Sequence, residues 1–501
     1  MDFESTNSPA IIAYLENKKE LLKAVVSSKG VIYYDKTTSG DVVAKQVLAE
    51  LRKLVKLEFG VCAEDGLNPL QIEQLIITEA SIGSANANSD KQTDSERITD
   101  HIINKAIEMR ASDLFIDTRQ GKARLSFKVF GRTFEDVDGI ANKELAEKII
   151  RSMWMKGDSN WDPSGPCDCS FSVGEGTKNM VRVRGNSIKE EGRGNAIAAR
   201  LRNPFEVLPL NEAGYLPAQL EDIRIMAEAS GGLIVFAGPT DSGKSTSLTS
   251  LVSLLPDDLR KIEIADPPEV FLDHCTHVTI ERNVEGSYLG LDKILGAIVR
   301  QNPDVLVLGE IRDRMSAAAA MGMAQQGKRV FTSLHANGCA GVPPRLIDLG
   351  IGANLLGFKE FFAGCVSQNL VAKLCPHCSM TAEEYQDKDS AKRYQKLFDS
   401  HAIRFTRPGG CSKCIKGVKG QTLVAQVYPL VKDSGRAYEL IRKALFSDLA
   451  VYMAKEHGVT DKHCSAALRI VDGQLDPVEV AKRIGFFPDR TYSGKRLESV
   501  A

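Results

Sequence analysis

Residues 231–335 carry a run of short apolar segments, GLIVFAG, KIEIAD, HVTI, DVLVLGE and RVFTSLH, separated by helix-compatible stretches. Buried runs that alternate with helices predict a wound α/β core around a mostly parallel sheet. Upstream the period changes. Ile98, Ile102, Ala106 and Met109 recur at three- and four-residue steps behind Ser95, a residue type that caps helix starts. LFID at 114–117, RLSFKVF at 124–130 and MVRVR at 180–184 have the β-branched and aromatic bias of strands, and 194–202 reads as another. Nearer the start, Ile12, Leu15, Leu21, Leu22 and Val25 predict one helix, 31–34 a strand and 42–55 a second helix.

Boundaries come from breaks in these patterns. SIGSANANSDKQTDS at 81–95 has too little apolar surface to offset chain entropy and reads as a linker. Residues 204–217 hold prolines that block ladder pairing and read as a connector. The expected division is a partner-binding domain at 1–80, a second domain at 96–205, a core at 206–430 and a helical region at 431–501. Asp476-Pro477 is a helix start there, and 492–501 a disordered tail.

Composition narrows the classes. Of 501 residues, 43% are hydrophobic and 26% charged, which suits a globular chain of about three domains. Lys plus Arg number 64 against 65 Asp plus Glu, so no basic field holds a nucleic-acid backbone, and DNA binding is not expected. No apolar run approaches the roughly 18 residues that span a bilayer. The start does not resemble a secretory signal, and the 11 cysteines are an odd number, so reduced cytosolic thiols are expected.

Two motifs carry chemistry. Gly238-Pro239-Thr240-Asp241-Ser242-Gly243-Lys244-Ser245 fits the P-loop pattern, lies between an apolar strand and a helix-compatible run, and continues into Thr246. Glycines there let backbone N–H groups converge on phosphate oxygens at a helix N-terminus. Lys244 is placed to reach the outer phosphates of ATP, and Ser245 to offer its hydroxyl to Mg²⁺. Polar groups end the neighbouring strands: Asp266 and Glu269, Glu310, and His335. In open parallel sheets ligands gather at those carboxyl ends.

The second motif is Cys375-Pro-His-Cys378 with Cys411-Ser-Lys-Cys414, an array whose pairs can each bite one tetrahedral Zn²⁺; a redox dithiol is the rival reading. The long gap between the pairs reads as a charged helix with a thin apolar stripe, stapled by the metal. His377 is not counted as a ligand. Cys167 and Cys169 have the wrong spacing for a zinc site and read as two thiols, while His274 and His277 read as ending a strand.

With these residues in place, the chain resembles the type II and type IV secretion ATPase superfamily, the hexameric motors of type II secretion and of type IV pilus assembly and retraction. GPTDSGKS resembles its Walker A box, IADPPE its Asp box, VLVLGEIRD its Walker B box and FTSLHAN its His box. The resemblance continues through PPRLIDLGI and the cysteine pairs, and ASDLFI with VRVRGNSIKEEGRGNAIAARL resembles the regulatory amino-terminal domain. It implies a RecA-like P-loop ATPase core, a PAS-like second domain, a small amino-terminal domain and a zinc-stapled helical insertion. Glu310 would position the attacking water, Asp266 and Glu269 would lie near the metal, and His335 would sense the γ-phosphate or a neighbouring subunit. Arg182, Arg193 and Arg200 would approach the nucleotide when the domains close; a solvated strand face is the alternative, equally weighted for Arg193. The implied assembly is a cytoplasmic homo-hexamer held at the inner membrane by a platform protein, and the tetracysteine element marks assembly motors more than retraction ones. A conjugation, DNA-uptake or retraction motor remains open, as does a nucleotide-binding scaffold with little turnover. Asp241 replaces a usual glycine and Ala265 a usual glutamate, so slow turnover is expected.

Overall fold

The computed structural model describes residues 8–18, 22–27, 29, 31–37, 41–59, 62–67, 94–119, 122–136, 140, 142–157, 159–174, 180–190, 194–203, 206–280, 290–455, 460–488 and 492. Most of the expected linker, the expected tail and Arg193 lie outside them. The chain is mixed α/β and divides into two compact units, residues 1–175 with 181–202, and 203–501 with 176–180.

The first unit contains two sheets among its described residues. Strands β1 (Ala24–Val26), β2 (Val31–Asp35) and β3 (Ala63–Leu67) form a sheet of order β1-β2-β3, with helices Pro9–Lys18 and Val42–Phe59. The single helix expected through Val25 is corrected. It stops at Lys18, and Val25 sits in β1, because burial of Leu22, Ala24 and Val26 on alternate positions suits a strand, and Ala24–Val26 pairs with residues 32–34. The larger sheet is antiparallel throughout: β4 (Asp113–Arg119), β5 (Lys122–Val129), β6 (Arg132–Asp136), β7 (Cys167–Val173), β8 (Val181–Glu190) and β9 (Gly194–Arg202), in the order β6-β5-β4-β9-β8-β7. Helices Asp94–Glu108 and Lys143–Met155 belong to this part.

The second unit is built on a seven-stranded sheet. Its strands are β10 (Gly232–Ala237), β11 (Lys261–Ala265), β12 (Cys275–Thr279), β13 (Val305–Leu308), β14 (Arg329–Leu334), β15 (Phe362–Leu374) and β16 (Val418–Tyr428), ordered β12-β11-β13-β14-β10-β15-β16. Every pair from β12 to β15 is parallel, and only β16 runs antiparallel, against β15. All residues of β10 and β13 are buried, as two-sided coverage of a parallel sheet requires. Helices Leu291–Arg300 and Arg314–Gln325 share one apolar cluster with the sheet. Pro217–Glu228 and Lys244–Leu254 share the cluster on its other side.

Residues 206–216 are more than a connector. Leu210 packs into the cluster of Leu248, Leu251 and Val252, and Ser250 Oγ donates to Leu208 O at 2.5 Å, so this stretch braces the helix behind the P-loop. The 375–414 insertion also has a partner. Tyr394, Phe398, Ile403 and Phe405 share a core with Ala466, Ile470 and Val480 of the last two helices and with Phe487 just beyond them, and the Phe398 and Phe487 rings meet edge to face at 5.0 Å. Among the described residues, no helix is long and apolar enough to cross a membrane.

Candidate functional site

The P-loop leaves β10 and enters the helix Lys244–Leu254. Two glycines make its turns possible. Gly238 has φ 152°, and a Cβ there would stand 2.4 Å from the Gln368 carbonyl oxygen; Gly243 has φ 82° and opens the helix. Between them Asp241 adopts φ 59°, a conformation Asp accepts more readily than most residues. Pro239, Thr240, Asp241, Ser245 and Thr246 are exposed, whereas Ser242 is buried and its Oγ lacks a hydrogen-bond partner among the described residues.

Lys244 folds back over the loop, its Nζ donating to Gly238 O at 2.9 Å and Pro239 O at 2.8 Å. Those carbonyl oxygens occupy the role that phosphate oxygens take in a P-loop. Burial lowers the pKa of Lys244, while the charges of Glu310, Asp241 and Glu269 act in the opposite direction.

Glu310 follows β13 after one residue, and its neighbours hold it. Gly309 N donates to Ile264 O at 2.9 Å, Ile311 N to Ser333 O at 3.0 Å, and Ser333 Oγ to Gly309 O at 2.7 Å. Its side chain is 13% exposed; Arg312 reaches Oε2 through Nε at 2.6 Å and through the terminal nitrogen at 2.5 Å. His335, beyond β14, places Nε2 3.0 Å from Oε1, off the line that a hydrogen bond needs. Burial lowers the pKa of His335, aided by the charge of Lys244 and opposed by Glu310.

The structure therefore gathers Lys244, Glu310 and His335. Asp266 directly follows β11 and is half-buried; Glu269 is exposed, yet its charge reaches Lys244. Ala265 is buried, and its Cβ lies 3.4 Å from where a Cβ on Gly309 would stand. The reading of His274 and His277 as a strand end is corrected. His274 precedes β12, while His277 lies inside it, with Nδ1 2.6 Å from Glu263 Oε2 and Nε2 accepting from Leu272 N at 2.9 Å. A residue of the edge strand thus holds the loop after the Asp box, which no spacing in the sequence signals.

In the first unit Arg182 lies opposite Arg202 and Arg184 opposite Arg200, so β8 and β9 carry four arginines in facing pairs. Arg200 Nε donates to Asp113 Oδ1 at 3.2 Å. Like charges placed opposite one another cost stability unless a counter-charge joins them. Arg184 and Arg202 escaped the sequence reading; the alternation in VRVR was their signal.

The tetracysteine set comes together. Sγ to Sγ distances are 3.9 Å for Cys375 and Cys411, 3.7 Å for Cys378 and Cys414, and 3.7 Å for Cys411 and Cys414, with all four sulphurs within 4.8 Å of one another. A tetrahedron of ~2.3 Å Zn–S bonds puts its sulphurs about 3.8 Å apart, so the residues fit zinc. Cys167 and Cys169 are not members of that set: Cys169 is buried, and Cys167 Sγ lies 3.0 Å from Ser187 Oγ.

Comparison with known proteins places this geometry. Residues 88–472 match the family described as type II/IV secretion system protein. The chain is 28% identical over 425 residues to type II secretion system protein E of Klebsiella pneumoniae, covering 79% of this chain and 82% of that one. It is 26% identical over 428 residues to the type IV pilus assembly ATPase PilB of Pseudomonas aeruginosa, covering 83% and 72%. Its fold resembles the X-ray structure of the Legionella pneumophila ATPase DotB with a TM-score of 0.55 and 17% identity, covering 79% of this chain and 96% of that one. A P-loop beside an arginine-braced glutamate and a family match over most of its length lead to one conclusion: the chain belongs to the type II/IV secretion system protein family, as an ATPase of the secretion and pilus-assembly type.

Proposed function

We propose that this chain hydrolyses ATP at residues 238–246 to power type IV pilus assembly or a type II-like secretion system, as a homo-hexamer acting on an inner-membrane platform protein. In this reading the second unit is a RecA-like motor core and the six-stranded sheet a PAS-like regulatory domain. The supporting observation is the convergence of the P-loop, Asp266, Glu310 and His335 on the carboxyl ends of β10, β11, β13 and β14.

Lys244 exchanges its two carbonyl partners for phosphate oxygens, and the N–H groups at the start of its helix face the same charge. Ser245, with Asp266 and Glu269 nearby, would hold Mg²⁺, which when bound neutralises charge on the phosphates. Glu310 orients the attacking water and accepts its proton, and His335 reports whether a γ-phosphate stands beside it. Arg182 and Arg200 are the arginines that the family resemblance reserves for charge developed on the transferring phosphate. Cys375, Cys378, Cys411 and Cys414 would hold a structural Zn²⁺ and keep the insertion folded. The site of action is the cytoplasmic face of the inner membrane, reached through partners.

Phosphate release by the purified chain, alone and with its platform protein, tests the proposal. A scaffold that binds nucleotide without turnover is the second reading, favoured by Asp241 beside Lys244 and by Ala265 in the Asp box. ATP binding with no phosphate release in the complete assembly selects the scaffold.

A further inference from the structure

Gln368 is a polar residue in the apolar run of β15, and it is fully buried. Buried amides are retained where hydrogen bonds use them, so its partners are informative. Its Nε2 donates to Ser242 O at 2.9 Å and to Ser247 Oγ at 3.1 Å. Its Oε1 accepts from Tyr215 Oη at 2.5 Å, and Tyr215 Oη lies 2.9 Å from Ser247 Oγ. Using each hydrogen once closes a ring. The amide of Gln368 donates to Ser247, the hydroxyl of Ser247 to Tyr215, and the phenol of Tyr215 back to Gln368, leaving the second amide hydrogen for the Ser242 carbonyl. A closed, buried ring of this kind is mutually polarised and holds one geometry. Burial pushes the Tyr215 phenol well above its ordinary range, so it stays a donor.

We propose that Gln368, oriented by Tyr215, is a positioning residue that sets the phosphate loop for ATP; the inference rests on the reading of residues 238–246 as the ATP site. Because a trans peptide is planar, its C=O and N–H point in opposite directions. With the Ser242 carbonyl drawn toward β15, the Gly243 N–H is turned away from that strand, toward the concave side of the loop where phosphate oxygens bind. The other end of the loop is set by the same residue, since Gly238 packs so closely on the Gln368 carbonyl that a Cβ would stand 2.4 Å from it. One residue outside the P-loop motif thus fixes both of the loop's turns. Rotation of the 242–243 peptide would remove a phosphate donor without disturbing Lys244.

The test uses the full chain with ATP as probe, comparing Tyr215→Phe, Gln368→Leu and Gln368→Glu with wild type and Lys244→Ala. Expected is a rise in ATP KM and Kd of about tenfold in Tyr215→Phe, with the melting temperature kept within a few degrees. Gln368→Glu adds a readout that a merely structural role would not move. Protonated, the new carboxyl can donate to Ser242 O; ionised, it turns an acceptor toward a carbonyl. Its ATP KM therefore improves from about pH 8 to about pH 6 more than that of wild type, since burial raises a carboxyl pKa. ATP KM within twofold of wild type in both Tyr215→Phe and Gln368→Glu at every pH, while Lys244→Ala loses binding, overturns the positioning role and leaves the ATP site standing. Should Lys244→Ala bind ATP as wild type does, the site reading falls first and this inference with it. If Gln368→Leu fails to fold, the other two variants decide.

Discussion

His335 Nε2 stands 3.0 Å from Glu310 Oε1, while Arg312 occupies the other carboxylate oxygen. The end of β14 thereby meets the carboxylate at the end of β13, in a contact that lacks the alignment of a hydrogen bond.

Glu310→Gln keeps the shape and hydrogen-bonding reach of the side chain but removes its capacity to take a proton. ATP hydrolysis is expected to fall by about 10²-fold or more with the dissociation constant for ATP nearly unchanged. Parallel measurements of steady-state phosphate release and equilibrium ATP binding check this; equal losses in both place Glu310 in binding instead.

Asp241→Gly removes a carboxylate that acts on Lys244 and replaces a φ of 59° with a residue at ease there. Tighter ATP binding and faster turnover are expected, with little change in melting temperature. Titration calorimetry and a turnover assay suffice. No gain in either means that Asp241 keeps its charge away from the bound phosphates.

The pKa values of His335 and His277 are displaced in opposite directions. Burial, with the charge of Lys244, lowers His335 below the ordinary imidazole value, so its share of stability is present above that value and lost as pH falls through the folded-state pKa. For His277, burial opposes the charge but Glu263 at 2.6 Å outweighs it and raises the pKa. Its share is present below the ordinary value and lost as pH rises through the higher folded-state one. Imidazole resonances followed by NMR should show His277 with the higher midpoint, and Glu263→Gln should bring that midpoint down.

Removing the metal tests the insertion. Cys378→Ser, or chelation, is expected to abolish binding of one zinc per chain and to speed amide exchange in 388–398. The change should spread to 462–484, because Phe398 and Phe487 share one core. Exchange in β10 and the helix Lys244–Leu254 should stay slow. Metal analysis with hydrogen-exchange mass spectrometry reads both, and unchanged exchange in the last helices means that their packing needs no zinc.

Much of the site was legible in residue order because the chemistry is local. Eight consecutive residues make a P-loop, two close pairs of cysteines make a metal bite, and a short buried strand delivers Glu310 to a predictable edge. The parallel strands β10 to β14 were legible for the same reason, as each is a self-contained apolar run. The antiparallel pair of β15 and β16, whose strands lie on either side of the cysteine insertion, was not. In β15, FAGCVSQNLVAKL, the residues Ser367, Gln368 and Asn369 interrupt the apolar run, and they are buried because β15 pairs with β10 on one side and β16 on the other.

Interactions between distant segments were decided by folding. Tyr215 and Gln368 lie 153 positions apart, Phe398 and Phe487 meet only across the insertion, and Arg184 faces Arg200 by strand register. A linear pattern records which surfaces must be buried and which backbone turns are allowed. Which buried polar group satisfies which other one depends on register and packing, and those exist only once the layers have closed.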